Sequence, residues 1–283
     1  MARGIALYKL IGIDLDGTLL TDDKYVTDEN LDMIHRIIER GYEVVIATGR
    51  SYYSAKKLTH GIKDHLIYIT NNGNAVRDSI DDRLLSSLYL EDKYCHIILD
   101  EGKKRGLHPI IHVDYYQEGY DIILDKDSLF THFRNRRSNE IIRHKEVEDY
   151  MSEDLDRVLA IVYPGQKDIL TEFHLSINKL YPKRYNSHVM ENVVMSEALL
   201  EIMHPMGTKW NTLRKYAISK GIKPSEIIAI GDDNNDIGMI KNAGLGIAMK
   251  NGSELVRESA DIITKADNNN SGVALELGRV LDI

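Results

Sequence analysis

The sequence predicts an α/β protein, a parallel sheet covered by helices on both faces and interrupted by an inserted α+β domain. Three observations carry that expectation. Short apolar runs alternate with helical patterns over residues 9–70, the same alternation returns over 227–249, and the stretch between them has a different pattern. The 283 residues suffice for one large domain or two ordinary ones of about 100–200 residues each.

Lys9–Ile13 reads as a first buried strand whose exit, Asp14-Leu15-Asp16-Gly17-Thr18, contains a glycine that permits a sharp turn. The apolar stretch Ile5–Ile13 is broken by Lys9 and followed at once by Asp14, so it is too short to span a bilayer or to serve as a secretory core segment. Thr27 is placed to cap a helix carrying Leu31, Ile34 and Ile38, with Gly41 to stop it and Tyr42–Ala47 as the next strand. Ser51–His60 reads as a helix, Leu66–Thr70 as a strand and Asn71-Asn72-Gly73-Asn74 as a turn. From about Leu88 to His204 the expected strands are His108–Tyr115, Tyr120–Leu124 and Leu159–Tyr163, with helices around Asp92–Lys104 and Lys167–Leu180. Beyond that, Ile227–Ile230 is a strand ending in Gly231-Asp232, followed by a helix, a strand at Gly246–Met249 and a further helix. The expected division is therefore a core of residues 1–86 and 205–283 with residues 87–204 inserted into it.

A hydrophobic fraction of 43%, a charged fraction of 28% and only 5 prolines exclude a disordered or collagen-like chain. The net charge of −8 opposes attraction to nucleic acid or to anionic lipid, so neither nucleic acid nor a membrane is an expected partner. The single cysteine, Cys95, can form no intrachain disulfide and no paired-cysteine metal site, which suits a reducing compartment and a cytoplasmic location. The 11 histidines show no paired spacing that would hold zinc.

Chemistry is expected at the ends of strands. Asp14 and Asp16, two residues apart, leave the same face of a strand, and the turn at Gly17 can rotate the second carboxylate toward the first. Alone, such a pair reads equally as solvated strand-end acids. The run Asp232-Asp233-Asn234-Asn235-Asp236 follows another apolar strand; it is either an Asx-rich turn with a helix cap or a set of oxygen donors for a hard cation such as Mg²⁺. Thr48-Gly49-Arg50 stands at a third strand end, where a helix cap and an anion site are competing readings. Lys209, opening a helix, is either a solvated helix residue or the positive charge such a site needs.

Taken together and in order, Asp14-Leu15-Asp16-Gly17-Thr18, Thr48-Gly49-Arg50, Lys209 and Gly231-Asp232-Asp233-Asn234-Asn235-Asp236 resemble the haloacid dehalogenase-like phosphohydrolases. The Asn71-Asn72-Gly73 turn and the placement of the large insertion resemble the Cof-type subgroup. The resemblance implies a Rossmann-like core with an inserted α+β cap that sets substrate specificity. It implies Asp14 as the nucleophile that forms an aspartyl-phosphate, and Asp16 as the acid/base. Mg²⁺ would be held by the Asp14 and Asp232 carboxylates and the Asp16 backbone carbonyl. Thr48 and Gly49 would contact the phosphoryl group, Lys209 and Asn235 would neutralise or orient its oxygens, and Arg50 and Asp236 would support them.

The implied activity is a Mg²⁺-dependent phosphatase of small phosphorylated metabolites, sugar phosphates first among them, with nucleotide-like and riboflavin-precursor phosphates as family possibilities. The alternatives are a phosphomutase of the same superfamily and a weakly catalytic phosphometabolite-binding protein, as a monomer or homodimer. Two departures from the family pattern stand out: Trp210 where a glycine usually follows the lysine, and Asn74 in place of an alanine. Arg134, Arg136, Arg137, Arg143 and Lys145 form one basic cluster, readable as a solvated helical face or as a second anion site.

Overall fold

The computed structural model describes residues 8–126, 143–193 and 196–283. They fall into two compact units, Met1–Ser86 with Thr208–Ile283, and Ser87–Gly207. The first unit opens with β1 (Leu10–Ile13), α1 (Asp28–Glu39), β2 (Glu43–Ala47), α2 (Tyr52–Leu58), β3 (Ile67–Thr70), β4 (Ala75–Asp78) and β5 (Leu84–Ser87). Helix α1 starts where expected because the Thr27 side chain accepts the Asn30 amide, and Asp28 and Glu29 complement the positive helix end. Its Met33, Ile34 and Ile37 are buried.

The second unit contains α3 (Asp92–Lys104), β6 (Ile110–Tyr115), β7 (Tyr120–Asp125), β8 (His144–Val147), β9 (Val158–Gly165), α4 (Lys167–Leu180), β10 (Asn186–Val193) and β11 (Ser196–Met203). Its sheet runs β10-β11-β9-β6-β7-β8, with β7 and β8 parallel and the other pairs antiparallel. Both helices contribute to one core, where Ile98, Leu99, Leu170 and Phe173 meet Ile111, Ile161, Tyr163 and Leu200. Gly102 is needed there: a Cβ on it would lie 2.4 Å from the Tyr163 hydroxyl, which donates to the Ile98 carbonyl. Burial pushes the Cys95 thiol up to about 12, so this cysteine is a packing residue.

The pair β10–β11 has no counterpart in the sequence reading. Ser196–Met203 is built largely of Glu, Ala, Leu and Met, whose helix propensity hides the strand, and pairing with β9 on one side and β10 on the other overrides it. Of the basic cluster, Arg134, Arg136 and Arg137 lie outside the described residues. Arg143 lies over the Tyr116 ring and pairs with Asp121, and Lys145 pairs with Glu153.

The first unit resumes with α5 (Lys209–Ser219), β12 (Ile227–Gly231), α6 (Ile237–Asn242), β13 (Leu245–Ala248), α7 (Glu254–Ser259), β14 (Ile262–Ile263) and α8 (Gly272–Leu281). Its eight-stranded sheet has the order β14-β13-β12-β1-β2-β3-β4-β5. It is parallel from β14 through β3, and β4 turns back antiparallel. Leu10, Val45, Ile69 and Ala229 of the sheet pack with Leu213 and Ala217 of α5 and Met239 of α6. No helix among the described residues is long and apolar enough to cross a membrane.

Strand β1 is the centre of this arrangement. After it the chain moves outward through β2 and β3, and when it returns, β12 pairs with the other edge of β1, with Ile13 opposite both Ile46 and Ile230. That reversal is a topological switch point, where open α/β sheets leave a crevice at the carboxyl ends of their strands.

Candidate active site

Asp14, Thr48 and Asp232 are the first residues beyond β1, β2 and β12, so three adjacent strands deliver them to the same crevice. Gly17, at φ +73°, brings the loop after β1 against Asp232: a Cβ there would lie 2.1 Å from Asp232 Oδ2. Thr18 Oγ1 donates to Asp232 Oδ1 at 3.0 Å. Asp14, Asp232 and Asp236 each place a carboxylate oxygen within 4.8 Å of the others.

Lys209 is the counter-charge. It is 2% exposed, and its Nζ donates to Asp14 Oδ1 and to Asp236 Oδ1, both at 2.7 Å. The solvated-lysine reading is thereby overturned. Thr208, which accepts the Asn211 amide, caps α5 and sets Lys209 as its first residue, aimed into the crevice. Burial alone would lower the Lys209 ammonium, but Asp14 and Asp236 hold it above the ordinary lysine value. Asp236 is fully buried and also accepts from the Asp232 and Asp233 amides, so its role is to brace Lys209 and the loop.

Asp16 lies elsewhere than its spacing suggested. Strand β1 ends at Ile13, so strand alternation does not set the direction of either acid. The Asp16 carboxylate turns to Arg50, which donates from Nε at 2.6 Å and from a terminal nitrogen at 2.7 Å, and to Lys24 Nζ at 2.7 Å. Burial would raise its pKa, but the Arg50 fork and Lys24 hold it below the usual Asp value. Thr48 is buried and its Oγ1 accepts the Arg50 amide, whereas Ser51 is the residue that caps α2. The helix-cap account of Thr48 is thus replaced by a loop-bracing one. Gly49 is exposed at the same bend. Asn235 sits in the turn Asn234–Asp236, and its Nδ2 donates to Asn72 Oδ1 at 3.1 Å.

Several contributors have no local sequence signal. Lys24 reaches Asp16 across eight residues, and Asn251 donates to the Gly17 carbonyl at 2.7 Å. Asn268 and Asn269 grip Asp22 at 3.1 and 2.9 Å, tying the loop after β1 to the segment that opens α8. Trp210, in the first turn of α5, is partly buried against the core of the first unit and approaches Gly238 of α6, and Asn74 donates to the Asn71 carbonyl at 2.7 Å.

The donor chemistry fits a hard divalent cation. Three clustered carboxylates face one ammonium, and the ligand atoms are all oxygen. Since Asp236 is committed to Lys209 and two amides, Asp14 and Asp232 are the carboxylates suited to bind the ion. Burial, opposed by Lys209 and reinforced by Asp236 and Asp232, raises the Asp14 carboxyl well above its ordinary value. Burial and Asp236 push Asp232 up to about 6.

This has a measurable sign. Folded Asp232 keeps its proton up to about pH 6 and an unfolded Asp only to about pH 4, so the native state loses stability as pH rises between those values. Asp232→Asn keeps an acceptor for Thr18 and removes the charge. Without metal, the variant is expected to be about 1–3 kcal/mol more stable than the parent at pH 7. The gap should close toward pH 4 in thermal melts; a variant that melts lower at pH 7 contradicts the assignment.

Comparison with known proteins shows the family. A family model for haloacid dehalogenase-like hydrolases matches residues 11–277, and the chain belongs to that family. It is 29% identical over 266 residues to the 5-amino-6-(5-phospho-D-ribitylamino)uracil phosphatase YcsE of Bacillus subtilis, covering 94% of this chain and 93% of that one. A haloacid dehalogenase-like hydrolase from Bacteroides thetaiotaomicron superposes with a TM-score of 0.80 at 24% identity, covering 96% of this chain and 99% of the other. The subclass IIB sugar phosphatase BT4131 shares the fold with a TM-score of 0.74 at 20% identity, over 97% of this chain and 100% of its own. The chain is therefore a hydrolase of the haloacid dehalogenase-like class with an α/β core.

Proposed function

We propose that this hydrolase is a Mg²⁺-dependent phosphatase of small phosphorylated metabolites, working through an aspartyl-phosphate on Asp14. The observation that carries the reading is the buried Asp14, held at 2.7 Å by Lys209 at the switch point of the sheet beside Asp232. Asp14 attacks phosphorus as the bond from phosphorus to the ester oxygen breaks, and Asp16 gives its proton to that leaving oxygen. Asp16 then takes a proton from water, whose oxygen attacks phosphorus and displaces Asp14, releasing inorganic phosphate. The contacts from Arg50 and Lys24 favour the ionised Asp16 of the second half-reaction, and donation in the first half requires both to loosen. Lys209, Thr48, Gly49 and Asn235 stabilise charge on the transferred group. Asp14, Asp232 and the Asp16 carbonyl would hold Mg²⁺, which would supply the positive charge that screens the phosphate dianion from the Asp14 carboxylate.

Sugar or sugar-alcohol phosphates are the substrate class favoured by the activities for which YcsE and BT4131 are named, and residues 87–204 are proposed as the substrate-selecting cap. The test is inorganic phosphate released from p-nitrophenyl phosphate and from a panel of sugar phosphates. Release should stop in EDTA and return with Mg²⁺; undiminished release in EDTA removes the metal from the reading. An isomerised phosphoester without free phosphate identifies a mutase, and no turnover of any panel member supports a binding protein.

A further inference from the structure

The turn after β3 carries a conformational cost. Asn71, Asn72 and Gly73 take successive φ values of +48°, +55° and +104°. Such angles are uncommon for non-glycine residues, asparagine accepting them most readily, and they are kept where the surroundings fix them. Here the surroundings do so. The Asn71 amide donates to the Arg50 carbonyl at 2.9 Å and the Asn72 amide to the Thr48 carbonyl at 3.0 Å. Asn74 donates to the Asn71 carbonyl, and Thr212 Oγ1 donates to the Gly73 carbonyl at 2.6 Å. Gly73 fits so closely under α5 that a Cβ would lie 2.3 Å from the Thr208 carbonyl oxygen.

The turn is thus wedged between the Thr48-Gly49-Arg50 bend and the end of α5 that bears Lys209. Its apex presents Asn72 Oδ1, which accepts from Asn235 Nδ2 at 3.1 Å and lies 3.2 Å from the place a Cβ on Gly49 would occupy. One side chain therefore spans the two segments assigned to the phosphoryl oxygens.

We infer that Asn72 is a positioning residue that fixes the plane of the Asn235 amide so that its second N–H faces the transferred phosphoryl group. The inference rests on the phosphatase reading above. An amide free to rotate must be turned and held against the oxyanion as charge develops, whereas a pre-aimed donor stabilises the transition state without reorganising. With one N–H given to Asn72 Oδ1, rotation of the exposed Asn235 amide is restrained and its nitrogen is held on the Asn72 side. The strained turn is the support that keeps Asn72 in place.

The test is a double-mutant cycle read with p-nitrophenyl phosphate and Mg²⁺. Asn72→Gly removes the side chain but tolerates φ +55°, so the fold is kept and the melting temperature should stay within a few degrees of the parent. Its kcat should fall about tenfold with KM changed by less than about threefold, the loss expected for one misdirected charge-assisted hydrogen bond. Asn235→Ala should fall at least as far, and the double variant no further than Asn235→Ala alone. A role in stability alone gives a lowered melting temperature with unchanged kcat, and independent roles give additive losses; either result overturns the inference. Asp14→Asn run in parallel separates the two levels. If it retains parental turnover, the phosphatase reading fails and takes this inference with it, whereas an inactive Asp14→Asn beside an unimpaired Asn72→Gly overturns the inference alone.

Discussion

Asp14→Asn is expected to abolish release of p-nitrophenol from p-nitrophenyl phosphate, by a factor on the order of 10⁴ or more, while the chain stays folded. Asp14 Oδ1 is occupied by Lys209, so its other oxygen is the one available to attack phosphorus. An amide has nearly the same shape and can still accept the lysine N–H, yet its oxygen is a poor nucleophile toward a phosphate dianion. The fold survives because the substitution removes one of three mutually repelling carboxylates and leaves Lys209 paired with Asp236. Far-UV circular dichroism and a melting curve alongside the assay separate lost chemistry from lost structure. Turnover near the parental rate shows that Asp14 is not the nucleophile.

Lys209→Met should lose both activity and stability. The methionine fills the space of the buried stem but leaves Asp14 and Asp236 without the ammonium that lies 2.7 Å from each. Removing one partner of a buried ionic group typically costs about 3–5 kcal/mol, because the remaining charge is stranded in a poorly polarisable surrounding. The loss should be largest near pH 8 and shrink toward pH 5, where one stranded carboxylate takes up a proton. Denaturant midpoints at the two pH values measure this, and equal midpoints for variant and parent at both contradict a buried counter-ion. Turnover should fall about 10²–10³-fold, the usual loss for one preorganised charge on a transferring group.

The legible parts of the molecule were those in which chemistry and secondary structure share a few consecutive residues. Apolar runs ending in Asp14, Thr48 and Asp232 announce both the strand and its reactive end, and Thr27 announces α1 through a local capping bond. The direction of Asp16 was not legible, because it depends on where β1 stops and on Arg50 and Lys24 arriving from other segments. Nor was the clasp of Asp22 by Asn268 and Asn269, whose members are separated by almost the whole chain. Strand β11 is hidden in the sequence for a different reason: its composition favours a helix, and only its neighbours make it a strand.

The central place of β1 also governs the order in which this molecule can be born. Its partner on one edge, β2, follows after a single helix, but its partner on the other edge, β12, comes only after the entire inserted unit. At a ribosomal pace of about 5–20 residues per second, that edge waits on the order of 10–40 s in the nascent polypeptide, with its backbone groups bonded only to water and open to a wrong strand. Ser87–Gly207, whose sheet closes within its own span, has no such dependence and can fold during translation before the reactive crevice exists.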